Sequence, residues 1–190
     1  MSNNKVKFGL RNVKYSKITI DEEGKYVYGT PVAIPGAVNL SLSPSGETSD
    51  MNADDVVYFS VSSNQGYEGD LEIALIPESF LIDILGFTKD TNGALIENAD
   101  ALASPFALGF EVQGDKKPRR TWLYNCSASR SPQNAATKES SVAPTTETLS
   151  LKAMPRLDDK NVKVTLELDD ANKDAYDSFF TTVYEKTESV

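Results

Sequence analysis

The chain contains no histidine and a single cysteine, Cys126. Without histidine it lacks the commonest general acid/base and the commonest neutral metal ligand. Serine–histidine and cysteine–histidine nucleophile pairs, and the usual zinc sites, go with it. A lone cysteine excludes an internal disulfide and fits a reducing compartment. No apolar run approaches the ~18 residues that a membrane-crossing helix needs. The first residues, Met1 to Lys7, lack the apolar centre of a signal peptide, so export by the usual route is not expected. Neither a Walker-type glycine–lysine loop nor a dinucleotide-binding glycine fingerprint is present. Positive charge is scarce too: 19 lysines and arginines against 28 carboxylates leave a net charge of −9. A nucleic-acid reader needs the opposite, a basic stripe that displaces counterions. A surface that nucleic acid merely passes is not excluded.

What remains is ordinary soluble-domain composition, 39% hydrophobic and 25% charged over 190 residues. That suits one domain, 1–190, with a core of its own. Short alternating segments separated by turn residues, without βαβ alternation, predict a mainly β fold. The expected form is an antiparallel β-sandwich or barrel of nine or ten strands, with one short internal helix and one C-terminal helix. Residues 1–12 read either as a first edge strand or as an N-terminal docking arm. Val13 to Ile20 is β-rich, and Asp21 to Gly24 is a turn into a strand around Tyr26 to Tyr28.

Two proline–glycine turns in Tyr28 to Gly36 feed a strand that places Val38, Leu40 and Leu42 on one face. Residues 43–53 have no apolar periodicity and read as a long loop, either mobile or bound to something. Asp54 to Ser62 is a strand whose two faces are both apolar enough to be covered. Gly66 to Ile76 is the cleanest amphipathic strand. Tyr67, Leu71, Ile73 and Leu75 share one face, and Glu68, Asp70 and Glu72 share the other. Pro77 then opens a short helix with Phe80, Leu81, Ile84 and Leu85 on its apolar stripe and Gly86 at its end. Asn92-Gly93 marks a tight turn. Residues 105–128 are a β-hairpin, with Trp122, Tyr124 and Cys126 alternating on its return strand. A second long loop, 129–144, leads to strands at about 145–153 and 162–168. Asp169-Asp170 caps a helix over 170–184 whose broad aromatic face requires a partner.

None of the polar clusters carries a catalytic pattern. Asp54-Asp55 and Asp169-Asp170 are adjacent carboxylates that suit strand starts or caps, with a metal site as the alternative. Cys126, on an alternating strand, reads as a small buried core residue rather than a reactive thiolate. Lys116, Lys117, Arg119 and Arg120 form the one basic cluster, either a solvated hairpin tip or a salt-bridging subunit contact. The acidic face Glu68, Asp70 and Glu72 is either a solvated sheet face or a wall that repels a polyanion. No catalytic, cofactor-binding or metal-binding residue is assigned, no cofactor is expected, and an enzyme is not expected.

Taken in order, Tyr28 to Glu47 and Gly66 to Pro77 resemble the major tail tube protein of long, non-contractile bacteriophage tails. Pro105 to Glu111, Gly114 to Lys117, Arg119-Arg120 and Tyr124-Asn-Cys126 look like that family's central hairpin. Thr137-Lys-Glu139, Pro144 and Thr146 to Leu149 look like a later strand, so the likeness spans nearly the whole chain. The resemblance implies a structural virion protein, located in the tail and assembled in the host cytoplasm. Its copies would form hexameric rings that stack into a tube through which DNA is ejected. It implies partners: further copies of itself, tape-measure, terminator and initiator proteins, and genomic DNA in transit without sequence-specific binding, but no membrane. Four strands per subunit would line the lumen; twenty-four strands at ~4.8 Å give a circumference of about 115 Å and a diameter of roughly 37 Å. The face of Glu68, Asp70 and Glu72 is then a candidate lumen surface. The loop residues Ser43, Pro44, Ser45, Gly46, Asp50, Met51 and Asn52, with the terminal arms, are candidates for ring-to-ring contacts. Competing readings are a carbohydrate-binding or adhesin-like β-sandwich, and the inner tube of a contractile injection system.

Overall fold

Period-two alternation of apolar and polar side chains drives most of this chain into antiparallel strands. The computed structural model describes residues 4–135, 137 and 145–187. In chain order the elements are β1 (Lys7–Ile20), β2 (Tyr26–Tyr28), β3 (Val32–Ala33), β4 (Ala37–Ser45), β5 (Thr48–Ala53), β6 (Val56–Ser62) and β7 (Gly66–Ile73). Then come α1 (Glu78–Asp83), β8 (Thr88–Lys89), β9 (Leu95–Ile96), β10 (Phe106–Gly114), β11 (Arg119–Ala128), β12 (Glu147–Met154), β13 (Lys163–Glu167) and α2 (Lys173–Ser178). Of the second expected loop, 129–135 has no regular structure, while Lys138, Glu139 and Pro144 lie outside the described residues.

The main sheet is nine-stranded and antiparallel, in the order β2-β1-β10-β11-β12-β7-β4. β3 adds to β1, and β13 adds to the first half of β11 where β12 has already left it. The sheet curls, so that β4, at one end of the hydrogen-bonded path, and β1, next to the other end, come close without pairing. Its concave side holds a core of Tyr15, Leu71, Ile73, Phe106, Leu108, Leu123 and Leu149. The helix α1 plugs that core with Phe80 and Ile84. Phe80 meets Tyr15 and Phe106 edge to face, at 5.1 and 5.3 Å between centroids. Gly86, at φ 75°, ends the helix as expected of a glycine there.

The hairpin β10–β11 is buried on both faces. Trp122 and Tyr124 point to the convex side, where Phe179, Phe180 and Val183 cover them. Gly109 makes this possible, because a Cβ there would lie 2.6 Å from the Trp122 ring. Cys126 does not share the face of Trp122 and Tyr124. The register slips between Phe106 and Leu108, and this bulge turns Cys126 into the concave core with Leu123.

Other expectations change as well. Residues 43–53 are not a loop: they complete β4 and form β5, which pairs with β6. Their polar composition hid the strand, because β6 supplies the apolar side chains of that pair. Neither face of β6 is covered, and every one of its residues is exposed. Val38 leaves the Leu40–Leu42 face: a register shift between Ala37 and Asn39 points it outward. Leu75 falls beyond the end of β7 and is exposed. The helix expected over 170–184 is much shorter. Asp169 caps a 3-10 turn at Asp170–Asn172, α2 covers Lys173–Ser178, and the chain then turns. The turn aims Phe179 and Phe180 into the sheet, and the Phe179 carbonyl, free of a helix, accepts from Trp122 Nε1 at 2.8 Å.

Candidate assembly interface

Strands β4, β7, β12 and the end of β11 place a polar surface opposite the concave core. The register aligns Asn39, Glu72 and Thr148 in one row and Ser41, Asp70 and Ser150 in the next. A third row runs Ser43, Glu68, Lys152 and Ser127. Glu68, Asp70 and Glu72 therefore do share one face, flanked by small hydroxyls. Ser150 donates to Asp70 at 2.8 Å, and Thr146 to Glu72 at 2.6 Å. On the other side of the same strands lie Leu40, Leu71 and Leu149, packed into the core. From Tyr26 to Thr88 the sequence has no lysine or arginine, so β4, β5, β6 and β7 carry charge of one sign only.

β4 and β7 run on into β5 and β6 as one long ribbon. At the junction two residues, Gly46 and Glu47, oppose three, Ser63 to Gln65, which kinks the ribbon as a bulge does. Ser63 N donates to the Glu47 carbonyl at 2.8 Å, and Gln65 N to the Ser45 carbonyl at 2.9 Å. Beyond the kink the hairpin stands clear of the domain. Tyr58 is 74% exposed, and Met51, Val56, Val57, Phe59 and Val61 are exposed alongside it. A register shift at Met51/Asn52 makes Tyr58 a bulge, so Val57 does not share the face of Phe59 and Val61 as its spacing predicts: Met51, Val56, Phe59 and Val61 occupy one face, and Val57 the other. Asp54 and Asp55, at φ 52° and 64°, form the two-residue tip. That positive-φ pair is the mirror-image turn preferred by hairpins, so the aspartates close a turn rather than start a strand.

Two of the longer strands of the main sheet leave an edge open among the described residues. β4 pairs with β7 alone, and the stretch of β1 before Val13 pairs with β10 alone. Edges of this length are templates for pairing with another chain.

The basic cluster is largely used within the chain. Lys117 lies 3.1 Å from Asp169, and Arg119 lies 2.8 Å from Glu167. Arg120 is not part of a solvated tip. Its Nε is 2.8 Å from Glu111, and its guanidinium stacks over Tyr176 at 4.1 Å. Arg120 points inward because it sits opposite Glu111 in the hairpin register. Lys116 stays exposed at the turn, where its backbone N–H donates to Asn4.

Two ion clusters escaped the sequence reading. Glu111 is 1% exposed and bonded to both Arg11 and Arg120. Burial acts to raise its pKa, but the two arginines outweigh it and hold the carboxyl below the usual range. The signal was available, since Glu111 interrupts an apolar strand and Arg120 faces it across the turn. Arg156 is likewise buried, bonded to Asp159 and, at 2.7 Å, to Glu185, with Tyr124 beneath it at 4.8 Å. The Arg156 hydrogen bond holds Asp159 down at about 2. Cys126 is fully buried, and desolvation pushes its thiol up to about 12, as suits an inert core residue.

Among the described residues no three His, Cys, Asp or Glu side chains gather as a metal site. No described helix is long and apolar enough to cross a membrane. The chain matches no protein-family model and, at a significant level, no curated protein.

Proposed function

We propose that this chain is a structural subunit that assembles with copies of itself into stacked hexameric rings, a tail tube through which phage DNA passes. The observation that carries this reading is the exposed hairpin β5–β6, which presents Met51, Val56, Phe59 and Val61 on one face with no covering partner in the monomer. Isolated two-stranded ribbons are marginal in water, and a contiguous apolar patch on one marks a contact surface.

The polar sheet face supports the same reading. It spans four strands, β4, β7, β12 and β11, the number each subunit would add to a closed lumen. Six such sheets at ~4.8 Å per strand enclose a ring of roughly 37 Å backbone diameter. Closure would also satisfy the open edge of β4, which a solitary subunit leaves to water. Duplex DNA carries one charge per about 1.7 Å, so a basic wall would hold it by counterion release. A wall of Glu68, Asp70, Glu72, serines and threonines, with Lys152 the one cation in those rows, lets it slide.

The sugar-binding alternative would need exposed aromatics beside polar groups. Trp122 is fully buried and cannot stack on a sugar, and the exposed Tyr58 and Phe59 stand on a ribbon whose every β6 residue is exposed, not in a cleft. Negative-stain microscopy and light scattering across a concentration series test the proposal. Rings or tubes are the expected result. A chain that stays monomeric at every concentration, with and without tail-initiating components, would overturn it.

A further inference from the structure

Where β1 and β4 approach without pairing, the curled sheet opens into a groove of about 710 Å³. Its floor is apolar, built from Leu10, Leu40, Leu42, Phe110, Val112 and Leu123. Its rim carries Lys5, Lys7 and Lys163, besides Arg119, which Glu167 already pairs, and no carboxylate lines it. The hairpin is the converse object: Glu47, Asp50, Asp54 and Asp55 are its charges, with no cation between Glu47 and Ser62. Apolar pegs with acidic flanks therefore match an apolar slot with basic banks.

Resting on the assembly reading above, we propose that the hairpin β5–β6 of one copy seats in this groove of a second copy. Tyr58 and Phe59 are the anchors, and Asp54 and Asp55 meet the rim lysines. The chain's own hairpin is not the occupant, because Tyr58 stands 74% exposed while the groove lies open. A volume of this size is on the scale of pockets that bury small molecules, and it accommodates two aromatic side chains. Aromatic anchors in desolvated pockets are what carry most binding energy at interfaces, while flanking opposite charges steer encounter and set register. Peg and socket are different surfaces of one chain. The contact is thus heterologous and propagates from copy to copy, closing into a ring or running on as a filament. A lipid surface is the poorer partner, since the two aspartates at the tip would have to enter it first.

The test uses the full chain with two single substitutions, Val56→Cys near the tip and Lys7→Cys on the rim, both at exposed positions. Mixed under oxidising conditions they should yield a disulfide-linked dimer that Val56→Cys with Lys25→Cys does not. Cross-linking equal to that control overturns the docking. Tyr58→Ser/Phe59→Ser, which removes no core contact, should raise the concentration at which oligomers appear by about 30-fold, the scale of losing interface anchors. Lys5→Glu/Lys7→Glu and Asp54→Lys/Asp55→Lys should each impair association alone and restore it when mixed, which a folding defect would not do. Wild-type tubes that form with no specific cross-link overturn the docking and leave the tube reading standing. Cross-linked pairs that never grow into rings uphold the docking and count against the tube.

Discussion

Glu111 sits where burial alone would keep a carboxyl protonated, yet Arg11 and Arg120 hold it ionised. Its folded pKa lies below the unfolded value of about 4.3, so its contribution is fully present above that pH. The contribution is lost as pH falls through the lowered folded value. Glu111→Gln removes the charge and leaves Arg120, 18% exposed, without its ion pair. Loss of about 3 kcal/mol at pH 7 is expected, on the scale of breaking a buried pair. Urea denaturation should show the gap between variant and parent narrowing below about pH 4; a gap that stays constant with pH would mean the carboxylate is not what stabilises. Gly109 makes a second, steric prediction. Its missing side chain is the space the Trp122 ring occupies, with a Cβ placed 2.6 Å from ring atoms. Gly109→Ala should cost about 1–3 kcal/mol by overpacking, together with a changed near-ultraviolet dichroism of the single tryptophan.

Elements were legible where one face meets the core and the other meets water. The amphipathic strand β7 shows this, with Leu71 and Ile73 inside and Glu68 and Asp70 outside, and so does the helix stripe of Phe80 and Ile84. Legibility failed where the partner is distant in sequence or missing. Thr48 to Ala53 is a strand only because β6 pairs with it, and its own residues carry no strand pattern. The pattern over Asp54 to Ser62 predicts a strand covered on two sides, because no sequence rule distinguishes a core strand from one awaiting a partner. The expected C-terminal helix is longer than the observed one for a related reason: the aromatic residues repeat at helical spacing, but Trp122 and the sheet claim Phe179 and Phe180 at the end of α2. The hairpin is separable in a way that the C-terminal segment is not. Deleting residues 47–63 and joining the ends through a Gly-Gly turn should leave thermal unfolding within a few degrees of the parent and abolish oligomers. Long tubes from the deletant in electron micrographs would show that the joint lies elsewhere. Phe179→Ala, in contrast, should cost about 3–5 kcal/mol in denaturant unfolding, because it opens a cavity over Trp122.

At the scale of the whole molecule, charge is sorted by position. Net −9 is carried unevenly, with no lysine or arginine between Tyr26 and Thr88 and with Lys5, Lys7 and Lys163 on the rim of the groove. In the proposed tube the acidic strands face the passage, where their role is to keep the wall from binding what moves along it. Substituting Glu68, Asp70 and Glu72 together by lysine places three cations per copy on that wall, eighteen in a hexamer. Each phosphate neutralised releases a counterion, so wall affinity for DNA would rise steeply and depend strongly on salt. The side chains point away from the core, two of them exposed, so folding and tube formation should persist. Genome ejection from particles carrying the variant should slow or stop at low ionic strength and recover as salt screens the wall. Parent-like ejection kinetics at low salt would place these residues outside the passage, and the polar face would then have to be an outer surface of the assembly.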